Sequence, residues 1–534
     1  MNSGRGLDKR GVIRSAGMVS AFVLLSRVFG FARDMLMARA FGTSLNMSAF
    51  VTAFTVPNLF RGLFGEGALS SAFVPVFTET RERAPDRLWQ FAARLQTALA
   101  LLLSALVAFG MLAATAALIL LPLDARAEAV LRLLRIMLPY TLFICLSAFL
   151  AAMLNALHKF AVAALAPVVL NLVMIAALAG VCPLLDPGSG LRMTAVAWSV
   201  IAAGVIQWGM MLPPLLARGF RLRWALDLSD PRVRQVGRLM GTTMIGMGLT
   251  QINVVVDRLL AFFLSDGAPS YLFYAERLIY LPLGMFGTAL GTVLLPTFSG
   301  QAARGRLEQM RETLNHSARQ LMFVMLPAAA GLFALARPIV RVAFERGEFT
   351  PYSTDMTAFA LQCYAPGLLV FSLLKVFIPV FYGVQDMKTP VRAGMVCTAL
   401  NLALKFALIW PLDHGGIALA TVLSSAVNVL ILGWLIHERI GPAGWPAIWS
   451  SAARLFAASA IMAAAAWGVN EAIPGLPGIS GLPVFWARLA ALLGAMAAAL
   501  PVYLGAAALL RCPEPREFLG AFRRRLAPGA AEAG

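Results

Sequence analysis

The sequence predicts an all-α polytopic membrane protein: about fourteen transmembrane helices, arranged as two six-helix lobes in a parallel pseudo-repeat and followed by two C-terminal helices. Three observations carry that prediction. The 534 residues are 60% hydrophobic and only 13% charged, and mean hydropathy is +0.78, outside the range of an ordinary soluble domain. Charges sit in alternate loops. Two halves of the chain share local motifs at a nearly constant offset.

Taken in order, the first helix, at 15–41, is interrupted by charge in "SRVFGFARDMLMARAF". No small-residue cleavage site follows its apolar run, so it reads as a retained span and not as a signal peptide. An ionised side chain at mid-bilayer costs roughly 2.5–3.5 kcal/mol, so these charges need partners. At about 100° per residue, Arg27 and Asp34 nearly eclipse and Arg33 lies close by on the same arc. Arg39 points elsewhere and snorkels toward the outer interface.

The second helix, 47–78, contains "VPNLFRGLFGEGALSSAFVP", where Pro57, Gly62, Gly65 and Gly67 weaken the helix around Asn58, Arg61 and Glu66. Broken backbone inside a bilayer is tolerated where protein or a water-filled cavity satisfies it. A bent helix lining a cavity is therefore expected. Helices at 92–121, 129–157, 160–184 and 192–217 complete the first lobe. After a helix at 236–264, the eighth, 270–298, repeats the theme in "SYLFYAERLIYLPLGMFG": Ser270, Tyr274 and Arg277 share a face, and Pro282, Gly284 and Gly287 follow. Helices at 317–345, 354–384, 390–412 and 415–437 close the second lobe. The last two, 451–471 and 482–510, are alanine-rich, which permits close packing or leaves a shallow groove.

Basic loops alternate with nearly bare ones such as "GTSLN", "LSDGAPS" and "PLDHGG", with Arg126, Arg192 and Arg346 as exceptions. The positive-inside rule places the basic loops and both termini in the cytoplasm. The net charge of +18 thus reflects membrane orientation, and a nucleic-acid partner is not indicated. Between the lobes, "DLSDPRVRQVGRL" reads either as an amphipathic stretch on the cytoplasmic interface or as a plain linker.

"AFVPVFTET" matches "VLLPTFSGQ", aligning Pro75 with Pro296 and Phe77 with Phe298 at an offset of 221. "LAPVVLNLVMI" matches "MVCTALNLALK", aligning Asn171 with Asn401, each after a polar turn ("LHKF", "VQDMKTP"). The chain therefore divides into an N-lobe at 1–225, a C-lobe at 226–440, and helices 13 and 14 with a basic cytoplasmic tail at 441–534.

Cys145, Cys182, Cys363, Cys397 and Cys512 lack CxxC or Cys/His spacing, which indicates neither a disulfide framework nor a metal site. The four histidines are scattered, with no nucleophile–base spacing. No enzymatic role and no cofactor are read. Pairs such as Arg33 with Asp34 and Arg277 with Glu276 are open to a purely structural reading. Yet Arg27, Arg33, Arg61 and Arg277 outnumber Asp34, Glu66 and Glu276, and unmatched cations in a low-dielectric wall predict an anionic guest. Paired guanidinium forks suit a diphosphate.

"SRVFGFARDMLMARAFG", "AFVTAFTVPNLFRGLFGEGALSSAFVPVFTE", "YAERLIYLPLGMFGTALGTVLLPTFS" and "FYGVQDMKTPV" together resemble the MurJ (MviN) lipid II flippases of the MOP exporter superfamily. The resemblance implies a multi-pass protein of the bacterial inner membrane with a central cationic cavity. It also implies alternating access that carries lipid II, the undecaprenyl-diphosphate-linked disaccharide-pentapeptide, from the cytoplasmic to the periplasmic leaflet. By motif position the cavity residues are Arg27, Arg33, Asp34, Asn58, Arg61, Glu66, Ser270 and Arg277.

Three departures from the family pattern stand out. Gly62 occupies a position where the family commonly has a second arginine, and Ser48 one where it often has an acid. Some members resemble sodium-coupled carriers; Asp257, Asn401 and Thr421 match three positions of that cation site, but Lys405 falls where a carboxylate completes it. Lys405 then either substitutes for sodium, paired with Asp257, or snorkels to an interface. Coupling to the membrane potential is also implied, since an inside-negative potential drives an anionic head group outward. The competing functions are a flippase for another polyprenyl-diphosphate oligosaccharide and a MATE-like multidrug or cation antiporter. For helices 13 and 14, the resemblance suggests a groove for the prenyl tail.

Overall fold

The computed structural model describes residues 9–186, 190–473 and 482–517. All regular structure among them is helical. The chain divides by packing into two compact units, Met1–Ser270 with Arg346–Phe349, and Tyr271–Glu345 with Thr350–Gly534.

The first unit holds α1 (Lys9–Phe41), α2 (Leu45–Phe60), α3 (Leu69–Arg83), α4 (Leu88–Leu120), α5 (Ala125–Ala156), α6 (Phe160–Ala176), α7 (Leu191–Leu216) and α8 (Pro231–Leu264). Predicted helix 2 is α2 and α3 joined by a π-helical turn, Arg61–Ala68. That is where three glycines lower the cost of departing from the α-helical ladder. Helix α5 is the core of this unit, packed on α2, α3, α4, α6 and α7. Phe73 binds it there, with ring centroids 4.8 Å from Phe149, 5.1 Å from Phe77 and 5.9 Å from Phe91. The sequence repeat restarts at 226, whereas the division by packing falls after Ser270. Helix α8 packs against α2, α3, α4 and the π-helical turn.

The second unit holds α9 (Ala268–Pro282), whose first three residues belong to the first unit, α10 (Thr288–Ala303), α11 (Leu307–Ala334), α12 (Ala336–Phe344), α13 (Pro351–Tyr364), α14 (Gly367–Gly383), α15 (Lys388–Leu412), α16 (His414–Ile440), α17 (Trp445–Ala472) and α18 (Val484–Leu509). Predicted helices 9 and 10 are each broken once, at Leu335 and at 365–366. Pro338 and Pro366 lack the N–H that a continuous helix would use.

Ten helices among the described residues are long and apolar enough to cross a membrane. The stretches 9–41, 45–83, 231–264 and 268–303 are not among the ten; they carry most of the candidate site.

Two local features recur between the units. A second π-helical turn, Leu283–Gly287, follows α9, and its start is related to Arg61 by nearly the offset that relates Pro75 to Pro296. The polar turns before α6 and α15 also share one construction. His158 (φ 57°) and Gln385 (φ 61°) are left-handed non-glycine residues. The next N–H reaches back five residues, Lys159 to the Leu154 carbonyl at 2.8 Å and Asp386 to the Phe381 carbonyl at 2.9 Å. That is the bond pattern of a helix closed by a left-handed residue.

Candidate functional site

In the first unit the charges of α1 are held by α6. Arg33 donates from Nε (3.0 Å) and Nη2 (2.7 Å) to Asp34 Oδ1, and from Nη1 to Asn171 Oδ1 at 3.0 Å. The side chains are 11% and 3% exposed. Asn171 closes the arrangement by donating from Nδ2 to the Ser26 carbonyl at 2.9 Å. Of the readings left open for this pair, the structural ion pair is formed, and it orients Arg33. Asn171, used above only to align the repeat, is a positioning residue that sequence reasoning missed. Its signal was a lone amide in an otherwise apolar run. Arg27 is half-buried on α1, and Arg39 is exposed.

Arg61 opens the π-helical turn. Its Nε donates to Asn58 Oδ1 at 3.3 Å, so these two predicted residues do meet. The widened turn disturbs the carbonyl ladder, and the Cys145 thiol donates to the Phe60 carbonyl at 3.7 Å. Gly62 is buried, and a Cβ there would lie 2.7 Å from Gln251 Nε2 on α8. The missing second arginine thus coincides with close approach of α8. For Glu66 the backbone lies in the π-helical turn, but its side chain is outside the described residues. Ser48, the other departure, bonds the Ser270 hydroxyl at 2.8 Å with both groups buried.

In the second unit, Arg277 is half-buried on α9 with its guanidinium carbon 4.5 Å from the centre of the Phe273 ring, a cation–π contact. Tyr274, on the predicted face with Arg277, is fully buried against Phe344 at 4.9 Å. Glu276 accepts from the Tyr364 hydroxyl at 3.2 Å.

Asn401 and Thr421 are also brought together. Asn401 Nδ2 donates to Ser424 Oγ at 3.0 Å and to Thr421 Oγ1 at 3.4 Å. Ser424, one turn along α16, is a further residue that sequence reasoning missed. Lys405 is fully buried on α15, so the snorkelling alternative does not hold. The whole side chain, ammonium included, is without exposure. Asp257 lies half-buried on α8 of the first unit.

The second unit also contains an apolar cavity of about 440 Å³, lined by Leu373, Phe377, Val429, Gly433, Trp445 and Trp449 among others. Helices α14, α16 and α17 contribute these residues. The lining contains no α18 residue. The alanine-rich α17 and α18 pack on each other, and α17 also contributes Trp445 and Trp449 to this cavity.

The family model for "Lipid II flippase MurJ" matches residues 37–483. The chain belongs to the MurJ family. Its relatives include a protein of Vibrio cholerae named "probable lipid II flippase MurJ", 34% identical over 500 residues that cover 89% of this chain and 94% of the relative. A Rhizobium meliloti relative of the same name is 35% identical over 511 residues, 93% of each chain. Among solved structures, a lipid II flippase MurJ in an inward closed conformation superposes with a TM-score of 0.75 at 24% identity, covering 92% of this chain and 98% of that one. An inward-facing multidrug-resistance MATE transporter of the MOP superfamily gives 0.64 at 13% identity, covering 78% and 95%. These structures share the fold. The family is carried by the sequence matches.

Proposed function

We propose that this chain is a lipid II flippase, a carrier with no covalent chemistry of its own, that moves the undecaprenyl-diphosphate-linked precursor outward across the bacterial inner membrane. The observation that carries this reading is the match to relatives named lipid II flippase over nearly their whole length. The basic loops support cytoplasmic termini, and the stretches 9–41, 45–83, 231–264 and 268–303 complete the fourteen spans.

The task is to take a charged, sugar-bearing head group through hydrocarbon. Half-buried Arg27 and Arg61 in the first unit offer a diphosphate fixed cations in place of water, and half-buried Arg277 does so in the second. Arg33, held by Asp34 and Asn171, adds a guanidinium of set orientation. The prenyl chain stays in an apolar environment, for which the cavity lined by α14, α16 and α17 is suited. An inside-negative potential contributes about 2.3 kcal/mol per charge per 100 mV to outward movement of the anion, and it returns the empty cationic site inward. Buried Lys405 supplies a resident positive charge beside Asn401 and Thr421, so flipping proceeds without sodium.

Complementation of a flippase-depleted bacterium, followed by lipid II accessibility at the outer face, tests the reading. Wild-type sequence should restore accessibility. Arg61→Ala and Arg277→Ala should each abolish it with membrane insertion intact. Full flipping by both variants would remove the arginines from the mechanism, and failure of the wild type would remove the function.

A further inference from the structure

The segment that joins α7 to α8 has an unusual composition for a linker. It reads "FRLRWALDLSD", Phe220 to Asp230, and is non-helical throughout. Leu222, Trp224, Leu226 and Leu228 alternate with Arg221, Arg223, Ala225 and Asp227, the period-2 pattern that puts like residues on one edge of an extended chain. All four apolar members are open: Leu222 is 51% exposed, Trp224 82%, Leu226 56% and Leu228 58%.

The segment is pinned at both ends and in the middle. Gly219, at φ 92°, ends α7, and Phe220 is buried with its ring 5.8 Å from Trp89. Thr97 on α4 donates to the Arg223 carbonyl (3.4 Å) and accepts from the Ala225 N–H (3.2 Å). Arg94 on α4 pairs with Asp227 at 3.1 Å and Asp230 at 2.7 Å. Asp230 also caps α8 by accepting from the Arg232 N–H. Hydrogen bonds from Ser229 hold the Asp227 carboxyl below the usual carboxylate range, so this clamp stays ionised at neutral pH. A linker that served only to span a gap would need none of these bonds.

We propose that residues 220–228 are a membrane-interface anchor that binds anionic phospholipids of the leaflet on the basic-loop side. Pinned backbone presents a fixed row of leucines and a tryptophan to the acyl boundary, the depth at which tryptophan is favoured. Charge selects the lipid: Arg221 and Arg223 alternate with the apolar row, Arg234 donates from Nε to the Leu228 carbonyl at 2.9 Å, and all three are exposed; such clusters attract acidic head groups. The proposal does not depend on the transported substrate.

A photoreactive benzoylphenylalanine at position 226 of the full chain tests it, in vesicles of three parts phosphatidylcholine to one part phosphatidylglycerol. Adducts should be phospholipid, with phosphatidylglycerol enriched roughly twofold over its mole fraction. Arg221→Gln with Arg223→Gln should lower the enrichment toward the mole fraction while leaving the total of adducts unchanged. Cross-links to a second copy of the chain, no lipid adduct, or phosphatidylglycerol at its mole fraction in the parent protein would each overturn the proposal. Those outcomes need only the parent chain, so they stand even if the double variant does not fold.

Discussion

Asn171 and Asn401 occupy matching places in the two halves of the sequence, yet their amides are used differently. Asn171 is satisfied on both sides: its oxygen takes the Arg33 guanidinium, and its nitrogen reaches the Ser26 carbonyl. Asn401 spends its nitrogen on two neutral hydroxyls, and its buried oxygen makes no hydrogen bond among the described residues. The cation in the first unit comes from a neighbouring helix. In the second, a cation stands on the same helix, Lys405, one turn from Asn401. The amide at matching sequence positions thus serves as a brace for a borrowed charge in the first unit and as a hydroxyl collector beside a resident charge in the second.

Lys405 offers the largest break in that comparison. Removing a buried ion that has partners costs roughly 3–5 kcal/mol, so Lys405→Ala should lower thermal stability sharply in mixed micelles. Lys405→Met, which keeps most of the stem, separates packing from charge. If the ammonium is the built-in substitute for sodium, wild-type flipping persists when choline replaces sodium, and Lys405→Met loses most activity in either salt. Strong sodium dependence of the wild type would sink that assignment.

Next comes Asn171→Ala, which strips the Arg33 guanidinium of a charge-assisted bond worth about 1.5–3 kcal/mol. Asn401→Ala removes bonds to neutral hydroxyls and should cost about 1 kcal/mol. Unfolding measured on both variants checks the order. Equal losses would mean that the two amides do the same job after all.

Gly62→Arg would restore the family's commoner residue. The obstacle is the end of a flexible glutamine, so insertion should survive. Trypsin-resistant membrane protein at wild-type level is the expected outcome; aggregation would show that approach of α8 cannot give.

The smallest effect belongs to the turn before α15. Asp386 accepts from the Thr389 N–H at 3.1 Å and the Thr389 hydroxyl at 2.7 Å, which holds its carboxyl below the ordinary range. Lys159, in the matching turn, makes no side-chain cap. Because the folded value is lowered, the Asp386 contribution is present above the ordinary carboxylate value of about 3.9. It is lost as pH falls through the lowered one. Asp386→Ala should cost about 1 kcal/mol or less at pH 7, and the difference from wild type should shrink as pH falls below the ordinary carboxylate value and vanish once it is below the lowered one. Melting curves across that range test the sign.

Much of the site was legible in sequence because charge in an apolar run is conspicuous and costly. Arg33, Arg61 and Arg277 stand out that way, whereas Lys405 was singled out only by the resemblance, as the residue where the family's cation site has a carboxylate. Ser48 and Gly62 stood out only against a family pattern. Asn171, Ser424 and Cys145 carried weak signals, since an amide, hydroxyl or thiol in a membrane helix costs little by itself. Its role depends on which backbone or guanidinium another helix brings near.

By itself the sequence determined the helical membrane class, the order and near-ends of the helices, the glycine-weakened turns and the charges that demand partners. These follow from local properties, hydrophobic length and backbone freedom, that each segment carries alone. Only tertiary structure decided that α6 holds Arg33, that α8 packs with the first unit, that Lys405 is sealed from water, and that the apolar cavity excludes α18. Those outcomes depend on which faces meet, and a face acquires its partner only when distant segments pack.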